Sequence, residues 1–405
     1  MLIDPFRFVP TIKYPDVYRF ACPDDFNFIV NGIDIVDLYA KYSNANKKYI
    51  VLISDSATST EIGTASERTY AYSENGGNYT VTANGSPIPW TAGSTKRHII
   101  IIDTQSSIIA RVPENTIWCF MGEGCYSINA VNSSTLNYLH LESPTTFTSL
   151  PDNCLSGSAL TGQLSIPTGV AFIGGNALSY CQYLTGTLTI PNSVITMSPY
   201  CFLRNINMIG DIDIPESVTE IGQGCFYDCY GFNGLLKLPI TLVSIGNQAF
   251  YNCNKLHGDL IIPDSVTTYG SDCFSNCYGL NGMIKLSNNA MIIKDSMFAG
   301  CNFVGDLLIP NGVTNIMFDA FRECNNLNGK LTLPASLTTI GNNCFFGPAF
   351  TRIDAHMVTP PTMNESALIV STNAATCPLH VPVGSLAAYQ AAPYWNAFTN
   401  IIADL

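Results

Sequence analysis

Asp211 and Asp213 stand two apart in the run Gly210-Asp-Ile-Asp-Ile-Pro215, and residues two apart on an extended strand share a face. Two carboxylates so placed have a spacing open to glycoside hydrolysis, where the catalytic pair lies about 5 Å or about 6.5–9.5 Å apart. Such chemistry also needs a pocket that excludes water, and no neighbouring segment supplies one. A glycan hydrolase is therefore kept only as a remote alternative. The pairs Cys225…Cys229 and Cys273…Cys277 have a spacing that invites a metal knuckle, but a metal site needs a second pair converging on the same point. The histidines His98, His140, His257, His356 and His380 share no motif, and Gly122-Glu-Gly-Cys lacks the third glycine of a nucleotide loop. The expectation is a protein that is not an enzyme, with no catalytic residue, no cofactor and no metal.

The element that carries these residues is a repeat. Ile166-Pro167 recurs as Ile190-Pro191, Ile214-Pro215, Leu238-Pro239, Ile262-Pro263, Leu286-Ser287, Ile309-Pro310 and Leu333-Pro334, a period of about 24 residues. A small residue or Cys before a large apolar one keeps the same beat, as in Cys201-Phe202, Cys225-Phe226, Ala249-Phe250 and Cys273-Phe274. Such a period means a solenoid, in which no unit buries its apolar face alone and stacking builds the core. Within each unit Gly-x-Leu-x-Ile-Pro reads as a short strand, with Leu188 and Ile190 inward and Thr187 and Thr189 outward. Glycines 162, 186, 210, 234, 258, 282, 305 and 329 precede these strands, where a tight corner favours positive φ. Cys181, Cys229, Cys253, Cys277, Cys301 and Cys324 occupy one slot that Ser158, Asn205 and Pro348 fill elsewhere. That tolerance fits small buried residues, so the fifteen cysteines are expected to be reduced thiols.

The predicted fold is a leucine-rich repeat solenoid with short parallel strands, one per coil, right-handed, over residues 139–348 in roughly nine coils. Residues 1–138 carry no trace of the period and read as a β-rich attachment domain. In it, Thr69–Ser73 and Asn78–Thr82 flank a glycine turn as a hairpin, Tyr49–Ile53 and Ile99–Ile102 are buried-strand runs, and Asp34–Tyr42 suits two helical turns. Residues 349–405 form a C-terminal cap, with Ser385 capping a short helix and Trp395, Phe398 and Ile402 extending an apolar face.

Outward strand positions make two rows. One runs Gln163, Thr187, Asp211, Leu235, Asp259, Met283, Asp306, Lys330; the other runs Ser165, Thr189, Asp213, Lys237, Ile261, Lys285, Leu308, Thr332. At about 4.8 Å per strand the face is about 34 Å long. Leu235, Ile261, Met283 and Leu308 form an apolar streak among charges, which a sheet facing only water rarely carries. Asp211, Asp213, Leu235, Lys237, Asp259, Ile261, Met283, Lys285, Asp306 and Leu308 are thus the expected binding face. Tyr227, Tyr230, Tyr251 and Tyr278, after the Cys turns, offer a second reading as stacking rings for sugars; gap-filling between coils is the plainer one. A net charge of −12 and only 12 % charged residues argue against nucleic acid and against anionic membranes. No apolar run is long enough to span a bilayer.

Leu184 to Ile190, Pro215-Glu-Ser-Val-Thr-Glu-Ile-Gly222 and Gly224-Cys-Phe-Tyr-Asp-Cys229 resemble the unit of the BspA-like leucine-rich repeat family, and Cys377 to Tyr389 with Trp395 is similar to its C-terminal end. The resemblance implies binding, since members are mostly surface adhesins whose ligands differ. Met1-Leu-Ile-Asp-Pro-Phe-Arg-Phe lacks the basic start and apolar core of a secretory signal. That contrast leads to the expectation of a phage virion component, a tail or head fibre or decoration protein folded in the host cytoplasm. Residues 1–138 would join other virion proteins or sister copies, and the solenoid would contact a bacterial surface protein or glycan. The alternative is a bacterial cell-surface adhesin of the same family.

Overall fold

The computed structural model describes residues 148–363 and 372–405, and before them the backbone of the strands given below. Two compact units are distinguished, Met1–Ser193 and Val194–Leu405.

In the first unit a seven-stranded sheet is built mostly from antiparallel pairs. Lys47–Ser54 runs antiparallel to both Lys96–Asp103 and Thr116–Met121, and Tyr138–Glu142 lies between Thr116–Met121 and Val17–Phe20. Tyr70–Glu74 and Thr80–Thr82 pair antiparallel, Tyr70 opposite Thr82. Ile33–Asp34 is a strand, and the remainder of the helix expected over Asp34–Tyr42 lies outside the described residues. The unit ends in coils whose short strands are parallel: Ser149–Leu150 with Phe172–Ile173, and Gly162–Ser165 with Leu184–Thr189.

The second unit is a stack of coils of about 24 residues held by parallel bridges. Here the one-strand expectation needs correction, because each regular coil carries two short strands. One ladder comes from the Leu-x-Ile-Pro segments, as Ile212–Asp213 beside Leu236–Lys237 and Leu260–Ile261 beside Ile284–Lys285. The other comes from the Val-x-x-Ile segments: Thr196–Met197, Glu220–Ile221, Ser244–Ile245 and Thr268–Tyr269. Two apolar residues three apart cannot both face inward from one straight strand, so the segment bends after Val218 and only its end, Ile221, joins the ladder.

Between the ladders the Cys-Phe turns stack. Phe202, Phe226, Phe250, Phe274, Phe298, Phe321 and Phe345 form one continuous column with ring centroids 5.1–5.7 Å apart. Beside it Cys229, Cys253, Cys277, Cys301 and Cys324 donate their thiols to the carbonyls of Phe202, Phe226, Phe250, Phe274 and Phe298 at 3.0–3.2 Å. Ile212, Ile214 and Leu236 are buried as expected, whereas Leu238 is only half-buried because it borders a surface groove.

The turns use left-handed backbone in a way glycine counting does not reveal. Tyr200, Gln248, Asp272 and Ser296 precede the Cys-Phe step with φ of 49–60°, and Arg204, Asp228, Asn252 and Asn276 follow it with φ of 57–62°. Asn and Asp tolerate that region best among residues with a Cβ. The corner glycines alternate instead: Gly210, Gly258 and Gly305 have φ of 82–85°, while Gly234, Gly282 and Gly329 are there because a Cβ would strike Asp211, Asp259 and Asp306.

The C-terminal segment does more than close the stack. Arg352–Ala355, Leu379–Val381 and Ile401–Ala403 continue the parallel ladder. The helix Leu386–Ala391 follows Ser385, whose hydroxyl bonds the Pro382 carbonyl rather than capping the helix. Tyr389 and Trp395 are buried edge to face and donate to the carbonyls of Met357 and Pro361.

All twelve cysteines among the described residues are buried and unbridged. Burial pushes the Cys229, Cys277 and Cys324 thiols up to about 12, so the reactive thiolate is scarce even in oxidising surroundings. Thiol titration of denatured protein without reductant is expected to find nearly all fifteen cysteines free. Six or more in bridges would overturn this.

Candidate functional site

The Leu-x-Ile-Pro ladder turns one side chain inward and sends the next outward, so Ile212, Leu236, Leu260 and Ile284 enter the core while Asp213, Lys237, Ile261 and Lys285 face out. On the outward face Ile261 is 57 %, Met283 64 % and Leu308 61 % exposed. Leu235, Leu238, Ile240, Ile261 and Pro263 line a groove of about 730 Å³ whose charged rim is Lys237, Asp259, Asp264 and Lys285. The groove lies where the strand pair ending in Leu236–Lys237 meets the pair starting with Leu260–Ile261.

Five of the expected face residues, Leu235, Lys237, Asp259, Ile261 and Lys285, meet at this groove. Asp211 and Asp213 flank it through Lys237, whose ammonium lies 2.9 Å from Asp211 and 3.1 Å from Asp213. Met283 follows Asp259 in the adjacent coil, and its N–H donates to Asp259 Oδ1 at 2.7 Å. Asp306 and Leu308 lie farther along, where Asp306 Oδ1 accepts from the Lys330 N–H at 2.7 Å.

Three aspartates on the face therefore have a structural duty. Asp211, Asp259 and Asp306 each accept the backbone N–H at the start of the next coil's strand, from Leu235, Met283 and Lys330. The Leu235 N–H first, and Lys237 second, hold the Asp211 carboxyl below the ordinary carboxylate range. A glycosidase acid must stay protonated near neutrality, and Asp211 is tuned the opposite way. Both carboxylates are moreover engaged by Lys237, and Asp211 also by the Leu235 N–H.

Among the groove residues that sequence reasoning missed is Ile240. It is 76 % exposed and fills the position after the strand-ending proline where Asn192, Glu216 and Asp264 stand in other coils. A lone large apolar side chain in a column otherwise polar or small was the available signal. A second missed pattern is a double repeat of about 48 residues, Gly-Asp then Asn-Gly, in Gly210-Asp211, Asn233-Gly234, Gly258-Asp259, Asn281-Gly282, Gly305-Asp306 and Asn328-Gly329.

The tyrosine turns are stapled coil to coil. Tyr227 and Tyr251 stack on each other at 4.8 Å. Asn276 donates to the Tyr251 hydroxyl at 3.0 Å, and the Tyr278 hydroxyl donates back to Asn276 at 2.9 Å. Among the described residues no His, Cys, Asp and Glu cluster suits a metal ion.

Solved structures similar to this chain include a leucine rich cell surface protein from Faecalibacterium prausnitzii, 23 % identical over 71 % of this chain and 91 % of that one, with a TM-score of 0.35. A leucine-rich repeat protein from Bacteroides ovatus is 19 % identical over 72 % and 94 %, TM-score 0.32. The pneumococcal vaccine antigen PcpA is 13 % identical over 85 % and 100 %, TM-score 0.44. No curated protein matches the sequence. The model of the BspA type leucine rich repeat region matches residues 126–233 and 232–351 in six copies. This match overturns the expectation of a phage virion component, fibre or decoration protein, and with it the virion location. That expectation rested on the opening residues, whereas the family model that matches the repeat is the BspA type leucine rich repeat region. Solenoids of this kind serve adhesion and scaffolding without catalysis, and they bind protein or glycan along their extended faces. More than half of the chain is covered, and the protein belongs to the BspA-type leucine-rich repeat family.

Proposed function

We infer that this is a non-enzymatic adhesion protein of a bacterial surface, whose Leu-x-Ile-Pro face contacts another protein. The carrying observation is the groove, where exposed Leu235, Ile240 and Ile261 sit inside a rim of Lys237, Asp259, Asp264 and Lys285. Interfaces concentrate their energy in such apolar centres ringed by polar groups. A glycan calls for exposed aromatic planes, and the groove lining contains none. In this reading residues 1–138 hold the chain in place, 139–348 present the face, and 349–405 close the stack.

The test uses beads coated with the full chain. Replacing Ile261 with Asp and Met283 with Lys is expected to abolish adherence to bacterial and host cells. The melting temperature should stay within a few degrees, since both side chains point away from the core. Normal adherence by the double variant would move the contact to the tyrosine turns or the C-terminal segment.

A further inference from the structure

The outward face alternates in charge from coil to coil. Asp211 and Asp213 make one coil negative, Leu235 and Lys237 the next positive, then Asp259 and Ile261, Met283 and Lys285, Asp306 and Leu308, Lys330 and Thr332 repeat the change. The register is direct: Asp213 lies beside Lys237, Ile261 beside Lys285 and Leu308 beside Thr332. Apolar side chains recur in the same strip, so every coil from Leu235 to Leu308 carries one exposed aliphatic residue next to one charge.

We propose that this strip docks onto the same strip of a second copy, with the two solenoids antiparallel. The proposal rests on the reading of the face as the contact surface and names the partner. Consider a two-fold axis between the copies, parallel to the strands and midway between Leu260–Ile261 and Ile284–Lys285. It sets each negative coil opposite a positive one. The coil of Asp259 and Ile261 meets that of Met283 and Lys285, the coil of Leu235 and Lys237 meets that of Asp306 and Leu308, and Asp211 and Asp213 meet Lys330. An isologous contact needs this self-complementarity, and a strip of uniform charge would repel itself.

Some of these charges already have partners within the chain. Lys237 pairs with Asp211 and Asp213, and Lys330 with Asp354 at 3.5 Å. Among the described residues Lys285, Asp259 and Asp306 form no ion pair, although Asp264 lies close enough to Lys285 to feel its charge. In the two coils that flank the axis Asp259 faces Met283 and Ile261 faces Lys285. Asp259 and Lys285 thus meet diagonally, about 7 Å apart along the strand and within reach of the flexible lysine stem, and this pair carries the most electrostatic weight. An extended peptide along the strip would repeat about every 7 Å, out of step with a charge period of about 9.6 Å across two strands. A second copy has the same period by construction. Six strands give a strip about 24 Å long, at the small end of specific interfaces, so the association is weak and salt-sensitive.

Sedimentation of the full chain tests this. At low salt the wild type is expected to shift from monomer to dimer as concentration rises, and to remain monomeric at high salt. Lys285→Asp places two aspartates together at each half of the contact and should weaken association at least about tenfold. Asp259→Lys should do the same with two lysines. Mixed in equal amounts, the two variants have opposite charges at both halves and should associate again. Because Asp259→Lys also removes the bond to the Met283 N–H, Ile261→Lys serves as a second variant. Position 261 faces position 285 across the axis, so it sets lysine against Lys285 in the homodimer and against aspartate when mixed with Lys285→Asp. A wild type that stays monomeric at low salt, association that survives Lys285→Asp, or mixtures that fail to associate would each overturn the proposal. The adherence result is separate: loss of bead adherence in the Ile261 and Met283 variant keeps the face as a contact surface even if the chain is monomeric.

Discussion

Phe250→Ala is expected to lower stability by about 3–5 kcal/mol, the range for deleting a buried ring whose cavity cannot collapse. Phe250 is fully buried and stacks on Phe226 and on Phe274, each at 5.4 Å with planes within 6°. Touching planes lie about 3.5–4.0 Å apart, so these centroid distances describe offset stacking, the favoured parallel arrangement. Truncation removes two such contacts at once and takes the acceptor environment of Cys277, whose thiol donates to the Phe250 carbonyl at 3.1 Å, next to a void. The backbone that holds both neighbours cannot readily close the gap, because Ser244–Ile245 is bridged to Glu220–Ile221 on one side and to Thr268–Tyr269 on the other, which fixes the coil spacing. Urea unfolding followed by circular dichroism measures the loss, and Phe250→Leu, which keeps most of the volume, should cost under about 1.5 kcal/mol. A Phe250→Ala loss no larger than that of the Leu variant would mean that the column is not a stabilising element.

The same column shows why so much of this fold was legible. Ala249-Phe250 and its equivalents fall on one beat with the Leu-x-Ile-Pro segments, and a solenoid has few ways to place a beat that regular. The inward and outward alternation at Ile212 and Asp213 follows from strand geometry alone. What escaped was anything set by contact between coils. Arg204 and Asp228 take left-handed backbone because the turn demands it, not because their side chains announce it. Asp211, Asp259 and Asp306 looked like free surface charges, yet each is committed to a backbone N–H one coil away. The charged residues of the face were visible from spacing, whereas the groove depended on Ile240, which stands outside the strand, and on Leu238 being only half-covered. The error in biological setting had a different origin, since it came from the opening residues rather than from the repeat.

Gly246→Ala tests the coil spacing from the opposite side, by adding an atom instead of removing several. Gly246 does not have positive φ, so backbone preference is no obstacle to alanine. The obstacle is the coil before it: a Cβ at Gly246 would lie 2.5 Å from the Gln223 nitrogen, 2.7 Å from the Gly222 carbonyl carbon and 2.8 Å from the Gln223 Cα. All three are backbone atoms, which cannot rotate away as a side chain would. Gly246 is moreover tied to that coil by its own N–H, which donates to the Ile221 carbonyl at 2.8 Å. Relief must come from parting the two coils, which stretches the Ser244–Ile245 bridge to Glu220–Ile221 and loosens the Phe226–Phe250 stack together. Overpacking of this kind costs about 1–3 kcal/mol, against a gain of under about 1 kcal/mol that alanine brings by restricting the unfolded chain. A net loss is therefore expected, seen as a lower urea midpoint and as faster amide exchange in the coils on either side. Since stacked repeats are coupled chiefly to their nearest neighbours, the exchange effect should fade within one or two coils. An unchanged midpoint would show that the coils have slack where the contacts allow none.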